Sequence, residues 1–169
     1  MTDWTVRGLE IKTQAQRPVV YSPDERRRRD ETGWTLVQGI LAPVQFVVFL
    51  VSLVLVVRYL LTGDGLDVAG WSVVIKTGVL LLIMLTGAIW EKVVFGQYLF
   101  ARPFFWEDMV SMLVIALHLA VTMAWFDWGL HLSAEEAMGL ALLAYASYLI
   151  NAAQFLRKLR LARLEARYA

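Results

Sequence analysis

Apolar residues arrive along this chain in four long runs rather than in alternation. Thr35–Leu61, Trp71–Phe95, Glu107–Phe126 and Ala134–Leu156 are each mainly apolar, with a few polar interruptions. About 20 such residues cross a hydrocarbon core of roughly 30 Å as a helix, so each run predicts a membrane span. The connections 62–70 and 127–133 carry turn formers and no Lys or Arg. Ser133 followed by Glu135 and Glu136 predicts a capped helix start with acids in its first turn. Short connections make successive helices antiparallel neighbours, so the predicted fold is all-α, an up-down-up-down four-helix membrane bundle. Residues 1–20 read as a flexible extension and 21–169 as a single membrane domain. Met1 to Pro18 has no apolar run and does not read as a secretory signal. The fourth span is expected to continue through Arg160–Arg167 as a basic amphipathic helix along the membrane surface.

Composition agrees with an integral membrane protein. Of 169 residues 59% are hydrophobic and only 18% charged, against about 45–50% and 25% in soluble domains. The absence of cysteine excludes disulfides, iron–sulfur clusters and thiolate nucleophiles, and two histidines argue against a multi-histidine metal site. The position of the basic residues says more than the net charge of +1. Arg26–Arg29 precede the first span, Lys92 and Arg102 flank the second connection, and Arg157, Lys158, Arg160, Arg163 and Arg167 follow the fourth. By the positive-inside rule both termini and the 96–106 connection face the cytoplasm. The same clusters suit lipid headgroups, and nucleic acid is not an expected partner.

Each span also carries a polar seam. On an ideal helix Glu107, Asp108, Ser111, His118 and Thr122 fall within an arc of about 100°. Gln38, Gln45 and Ser52 recur at seven-residue spacing, Ser147, Asn151 and Gln154 share a side, and Lys76, Gly87 and Glu91 share another. The seams are expected to face one another around a polar pocket open to the cytoplasmic side, with its floor at His118, roughly 15 Å below Glu107. Trp34, Trp90, Phe104, Phe105 and Trp106 would form its rim. Six aromatic residues lie between Trp90 and Glu107, beside the three carboxylates Glu91, Glu107 and Asp108.

Each residue also has a plainer role. Glu107 and Asp108 suit a helix N-terminus. Glu91, which opposes the dipole of its own helix end, would pair with Lys92 or a rim arginine. His118 serves as an interhelical hydrogen bonder, as an axial ligand to magnesium or haem iron, or as a proton relay. Gln45, Asn151 and Gln154 suit helix–helix hydrogen bonding, and the aromatic rim suits an interfacial belt. Arg58 and Lys76 lie toward the outer leaflet, where long cationic side chains snorkel. His131, in an outer loop, is expected to be solvated.

Several ordered stretches carry a more specific signal. Tyr21-Ser-Pro-Asp-Glu-Arg-Arg-Arg-Arg-Asp30, Trp34-Thr-Leu-Val-Gln-Gly-Ile-Leu-Ala-Pro43, Trp90-Glu-Lys-Val-Val-Phe-Gly-Gln-Tyr-Leu-Phe100, Phe104-Phe-Trp-Glu-Asp108 and Val114-Ile-Ala-Leu-His118 resemble the 3-vinyl bacteriochlorophyllide hydratase family, called 2-vinyl under older ring numbering. The resemblance runs from about Tyr21 to Arg163 and leaves out the segment before Tyr21. It implies an enzyme of bacteriochlorophyll biosynthesis in the inner membrane of a phototrophic bacterium, cytoplasmic or intracytoplasmic. The implied reaction adds water to the C3-vinyl group of chlorophyllide a, or its bacteriochlorin counterpart, giving the 1-hydroxyethyl group. Its partners would be the tetrapyrrole, water, the bilayer and other enzymes of the pathway. No redox cofactor comes with it, and no catalytic role is carried over from the family.

For the reaction that the resemblance implies, the residues suit an acid-catalysed hydration. A carboxyl group protonates the terminal vinyl carbon, and water attacks the inner carbon of the resulting cation. Alkenes are weak bases, and burial beside a like charge holds an acid in its protonated form. Glu91, Glu107 and Asp108 are the candidate catalytic group, with Glu91 as acid and Asp108 or Glu107 orienting water. His118 is the candidate ligand to substrate magnesium, and Lys92 or Arg102 the candidate partner of the free propionate. Gln38, Gln45, Ser111, Asn151, Gln154, Trp90 and Trp106 complete the expected binding set. The competing class is a non-catalytic tetrapyrrole-binding or assembly subunit, which needs one axial ligand and apolar walls rather than clustered acids. A proton-coupled transporter fits less well, because the midspan positions lack a carboxylate.

Overall fold

The structure, a computed structural model, describes residues 20–168. The expected N-terminal extension lies almost wholly outside them. Among the described residues there are five helices and no strand. They are α1 (Pro23–Glu31), α2 (Gly33–Thr62), α3 (Leu66–Phe95), α4 (Phe105–Trp125) and α5 (Ala134–Tyr168). The last four are long and apolar enough to cross a membrane, as the four runs predict.

Helix α1 was not foreseen, because its sequence PDERRRRDE offers no apolar periodicity. It forms through its ends. Ser22 and Glu25 make a reciprocal capping box, Pro23 occupies the first turn, acids open the helix and arginines close it. Arg28 Nε then donates to the Val94 carbonyl at 2.8 Å, satisfying one of the acceptors that the end of α3 leaves without an intrahelical partner. Chain breaks fall at glycines with left-handed backbone, Gly63 after α2 and Gly96 after α3. The capped start expected for α5 is present, as a reciprocal capping box between Ser133 and Glu136.

Helices α2 and α3 pack closely, as do α4 and α5, and α3 joins the two pairs along α4. The buried positions of α2 (Gln45, Phe49, Ser52, Val56, Tyr59) and of α4 (Asp108, Ser111, Val114, His118, Val121) recur at three- and four-residue steps. Ala137, Ala141 and Ala144 of α5 are buried; small side chains bring helices close where lipid supplies no hydrophobic drive. Leu36, Ile40, Val47, Val51, Val54 and Leu61 of α2 are exposed, the pattern of a lipid-facing surface. The polar seams face inward: Gln45, Ser52, Lys76, Glu91, Glu107, Asp108, Ser111, His118 and Asn151 are all buried.

Two expectations change. Lys76 does not snorkel: it is fully buried, with its ammonium 4.1 Å from the centroid of the Tyr148 ring. Its place on α3 shares the inward stripe of Ala69, Val73, Thr77 and Leu80, so packing overrides its reach to solvent. Arg58 is exposed, consistent with snorkelling. The extension of α5 belongs to one uninterrupted helix, and its Ala162 packs with Tyr21, Val94 and Phe104. It is therefore anchored on the end of the bundle rather than forming a separate surface helix.

Near the opposite end, α3 meets α4 at Gly70, where an added Cβ would stand 2.2 Å from the Trp125 ring. Gly70→Leu should lower the thermal midpoint in detergent, by about 1–3 kcal/mol of stability for an overpacked contact. The loss should shrink in a Gly70→Leu, Trp125→Ala double variant; equal losses with and without the indole would disprove the clash.

Candidate active site

The loop joining α3 to α4 folds back on the helix ends it connects. Gly96 turns the chain at φ +86°, and Phe100 is held at φ +60°, a left-handed conformation uncommon for a residue with a side chain. Such a residue costs about 1–3 kcal/mol and persists only where its surroundings fix it. Here two consecutive backbone N–H groups are turned inward. The Phe100 N–H donates to Asp108 Oδ2 at 2.7 Å and the Ala101 N–H to Glu91 Oε2 at 3.1 Å. The Glu91 and Asp108 carboxyls lie near enough to act on each other, and Glu107 acts electrostatically on Asp108. All three are buried. Loop and helix ends thus bring together the carboxylates that the sequence places 17 residues apart, from Glu91 to Asp108.

Glu107 points differently. Its Oε1 lies 3.2 Å from Lys158 Nζ of α5, while Oε2 is buried without a hydrogen-bond partner. Lys158 also donates to the Pro103 carbonyl, pinning the loop. One turn deeper, Asn151 Nδ2 donates to the Glu107 carbonyl at 2.9 Å. The Ser111 hydroxyl lies 2.9 Å from the same carbonyl and 3.2 Å from Asn151 Oδ1. Asn151 and Ser111 therefore tie α5 to the first turn of α4 and spend their polar atoms on that task.

A second polar group lies in the middle of the bundle. His118 Nδ1 is 2.7 Å from the Val114 carbonyl, which identifies it as the protonated nitrogen; Nε2 is buried and unpaired. The ring rests on Tyr145, with centroids 5.7 Å apart. The Tyr145 hydroxyl meets Ser52, which also contacts Ser72. Lys76 lies within electrostatic reach of His118, and the Lys76 ammonium and both ends of the Gln45 amide lack partners. Gln154 Oε1 is likewise buried and unpaired.

The remaining predicted residues scatter. Gln38 donates to Thr86, stitching α2 to α3. The Lys92 ammonium donates to the Gly96 carbonyl and lies 5.3 Å from the Tyr98 ring, so it covers its own helix end instead of pairing with Glu91. Arg102 is exposed on the loop. The expected rim is partly a packed cluster: Trp90 meets Phe95 and Phe104 edge-on, Phe104 also packs on Tyr21 and Phe155, and the Trp90 indole donates to Thr35. These rings pack on one another instead of standing apart as a rim. Phe105 and Trp106 are exposed. His131 is exposed and holds Asp127 at 2.6 Å.

Helices and cluster together define a multi-pass membrane protein with buried carboxyls at one end of its bundle. Its kinship is specific. The family model described as 2-vinyl bacteriochlorophyllide hydratase matches residues 21–161, and the chain belongs to that family. A protein of that name from Cereibacter sphaeroides is 60% identical over 146 residues, covering 86% of this chain and 89% of the relative. Another from Rhodobacter capsulatus is 59% identical over 152 residues, covering 89% and 86%. No solved structure matches the chain. The family resemblance carried by the sequence motifs is borne out.

Removing Lys158 leaves the buried Glu107 carboxylate without its cation. Lys158→Met should cost about 1–3 kcal/mol, less than a fully buried pair because the lysine keeps some solvent contact. In a thermal-unfolding double-mutant cycle, Glu107→Gln should recover part of that loss; strictly additive losses would show that the pair is not coupled.

Proposed function

We propose that this chain hydrates the C3-vinyl group of a chlorophyllide-type tetrapyrrole in bacteriochlorophyll biosynthesis, giving the 3-(1-hydroxyethyl) product by carboxyl-catalysed protonation. One feature supports this above the rest: in a member of the hydratase family, the mutually interacting carboxyls of Glu91 and Asp108, each held by a backbone N–H of one loop, are buried at the ends of membrane helices. A contact between two carboxyl groups is a hydrogen bond only when one of them carries a proton. That proton is the reagent an alkene hydration needs.

In the proposed sequence the Glu91 proton goes to the terminal vinyl carbon, forming a C–H bond and leaving a cation on the inner carbon, delocalised into the macrocycle. The Glu91 and Asp108 carboxylates stabilise that charge. Water held by Asp108 attacks the inner carbon, and its released proton returns to the pair. The net change is the addition of one water, with no redox step. The Phe100 and Ala101 N–H groups hold the two acids in register throughout, and Glu107, fixed by Lys158, adds negative potential. Magnesium belongs to the substrate, and His118 Nε2 is the group suited to bind it axially. The rise from Asp108 to His118, about 15 Å before both side chains are counted, suits a ring lying between them along the helix axes.

Entry requires the helices to part, since His118 and Gln45 are buried. Looser packing supports the region where this would happen: α2 has no buried residue before Gln45, and α3 has none between Leu80 and Glu91. The bundle is proposed to run up-down-up-down in the bacterial inner membrane. Its termini and the 96–104 loop would lie on the cytoplasmic side, as Arg26–Arg29, Arg102 and Arg157–Arg163 favour.

Membranes containing the protein, incubated with 3-vinyl chlorophyllide in oxygen-18 water, should yield labelled hydroxyethyl pigment. Pigment bound and returned unchanged would make this a carrier. Glu91→Gln should lower the hydration rate by about 10²-fold or more, the usual scale of a lost general acid, while pigment binding persists. Near-normal turnover in that variant would remove Glu91 from the mechanism.

A further inference from the structure

Lys76 is a costly side chain to place in this bundle. It is fully buried, its ammonium has no hydrogen-bond partner, and among the described residues no carboxylate lies within ion-pair distance of it. The faces of Tyr148 and Tyr145, with centroids 4.1 and 5.6 Å away, stabilise a cation only in part. The acids of the carboxyl cluster are engaged elsewhere, Glu91 and Asp108 with backbone N–H groups and Glu107 with Lys158. An apolar side chain of similar length would make a more stable membrane helix here. The neighbours repeat the pattern: the Gln45 amide and His118 Nε2 are also buried and unpaired. Three elements, α2, α3 and α4, thus each bury an unsatisfied polar group in the interior of the bundle.

We infer that the Lys76 ammonium is the receptor for a carboxylate of the substrate, drawn into the middle of the bundle and fixing the orientation of the macrocycle. This rests on the reading that the ligand is a chlorophyllide, which carries a free propionate. Lys76 takes the place expected for Lys92 or Arg102, since Lys92 covers its own helix end and Arg102 is exposed on the loop. Its depth fits. Tyr148 lies three residues, about 4.5 Å, from Asn151, whose amide holds the Glu107 carbonyl. The ammonium, nearer to Tyr148 than to Tyr145, therefore leans toward the end of the bundle that holds the acids. A cation at this point lets the pigment enter in one orientation and disfavours esterified pigments, whose neutral ester leaves the charge uncompensated.

The test compares 3-vinyl chlorophyllide a with its propionate methyl ester on membranes holding the full chain. Binding is read by tryptophan quenching and hydration by product. The wild type should bind the free acid roughly tenfold or more tightly than the ester, the scale of one desolvated charge pair. Lys76→Met should erase that gap and bind both near the ester's level, while Lys76→Arg keeps the preference. Ligand-free Lys76→Met should melt no lower than the wild type. Equal wild-type affinity for acid and ester, or a Lys76→Met protein that still prefers the acid, would overturn the assignment. So would a marked loss of ligand-free stability in Lys76→Met, which would make the lysine structural. Should Lys76→Met fail to accumulate, the wild-type comparison and Lys76→Gln decide in its place. Absence of hydration with either pigment would count against the hydratase reading alone, because the acid-over-ester binding preference is read separately.

Discussion

Two adjacent backbone N–H groups, those of Phe100 and Ala101, govern how this molecule is put together at one end. In a medium without water a carboxylate needs donors from the protein itself. Glu91 ends one helix and Asp108 begins the next, and the loop between them supplies one N–H to each. The left-handed turn at Phe100, the glycine at 96 and the burial of Ala101 all follow from that requirement. So does the spacing of α3 from α4, because neither acid can move without losing its donor.

The rest of that end reinforces the same clamp from outside. Lys158 reaches from α5 to Glu107 and to the Pro103 carbonyl, Asn151 holds the first turn of α4, and Arg28 closes the end of α3. Aromatic packing of Tyr21, Trp90, Phe95, Phe104 and Phe155 then shields the cluster. Stability and chemistry are linked here: the contacts that fix the helix ends also fix the distance between two acids.

The spans were legible because length and hydropathy accumulate over some twenty residues, far more signal than any single site provides. Convergence of Glu91 with Asp108 was legible for a related reason, since a short loop must bring the ends of successive helices together. Helix α1 was hidden because it has no apolar face; only Ser22, Pro23 and Glu25 marked its start. Lys158 was visible as charge but not as a partner of Glu107, a contact spanning 51 residues that the helix pattern does not encode. Lys76 was misread because a lysine in a span usually escapes to the interface. Its step from Ala69 and Val73 toward Leu80 placed it on the buried stripe all along.

Hydrogen bonding also sorts the polar residues that sequence alone grouped together. Gln38, Ser111 and Asn151 have protein partners and hold helices to one another. Gln45, Lys76, His118 Nε2, Glu107 Oε2 and Gln154 Oε1 are buried without them. A bundle whose only task was to span would lose nothing by making Gln45 and Lys76 apolar, since an unsatisfied buried polar atom destabilises the fold. In the proposed reading the polarity of these buried groups is met by a ligand that enters, and their types describe it. A cation, a neutral imidazole nitrogen and an amide can bind a carboxylate, a metal and a carbonyl in turn. The carboxyls of Glu91 and Asp108 stand about three to four helical turns along α3 and α4 from Lys76 and His118, separately braced, so the proposed binding of the ring and its protonation would fall to different layers of the same four helices.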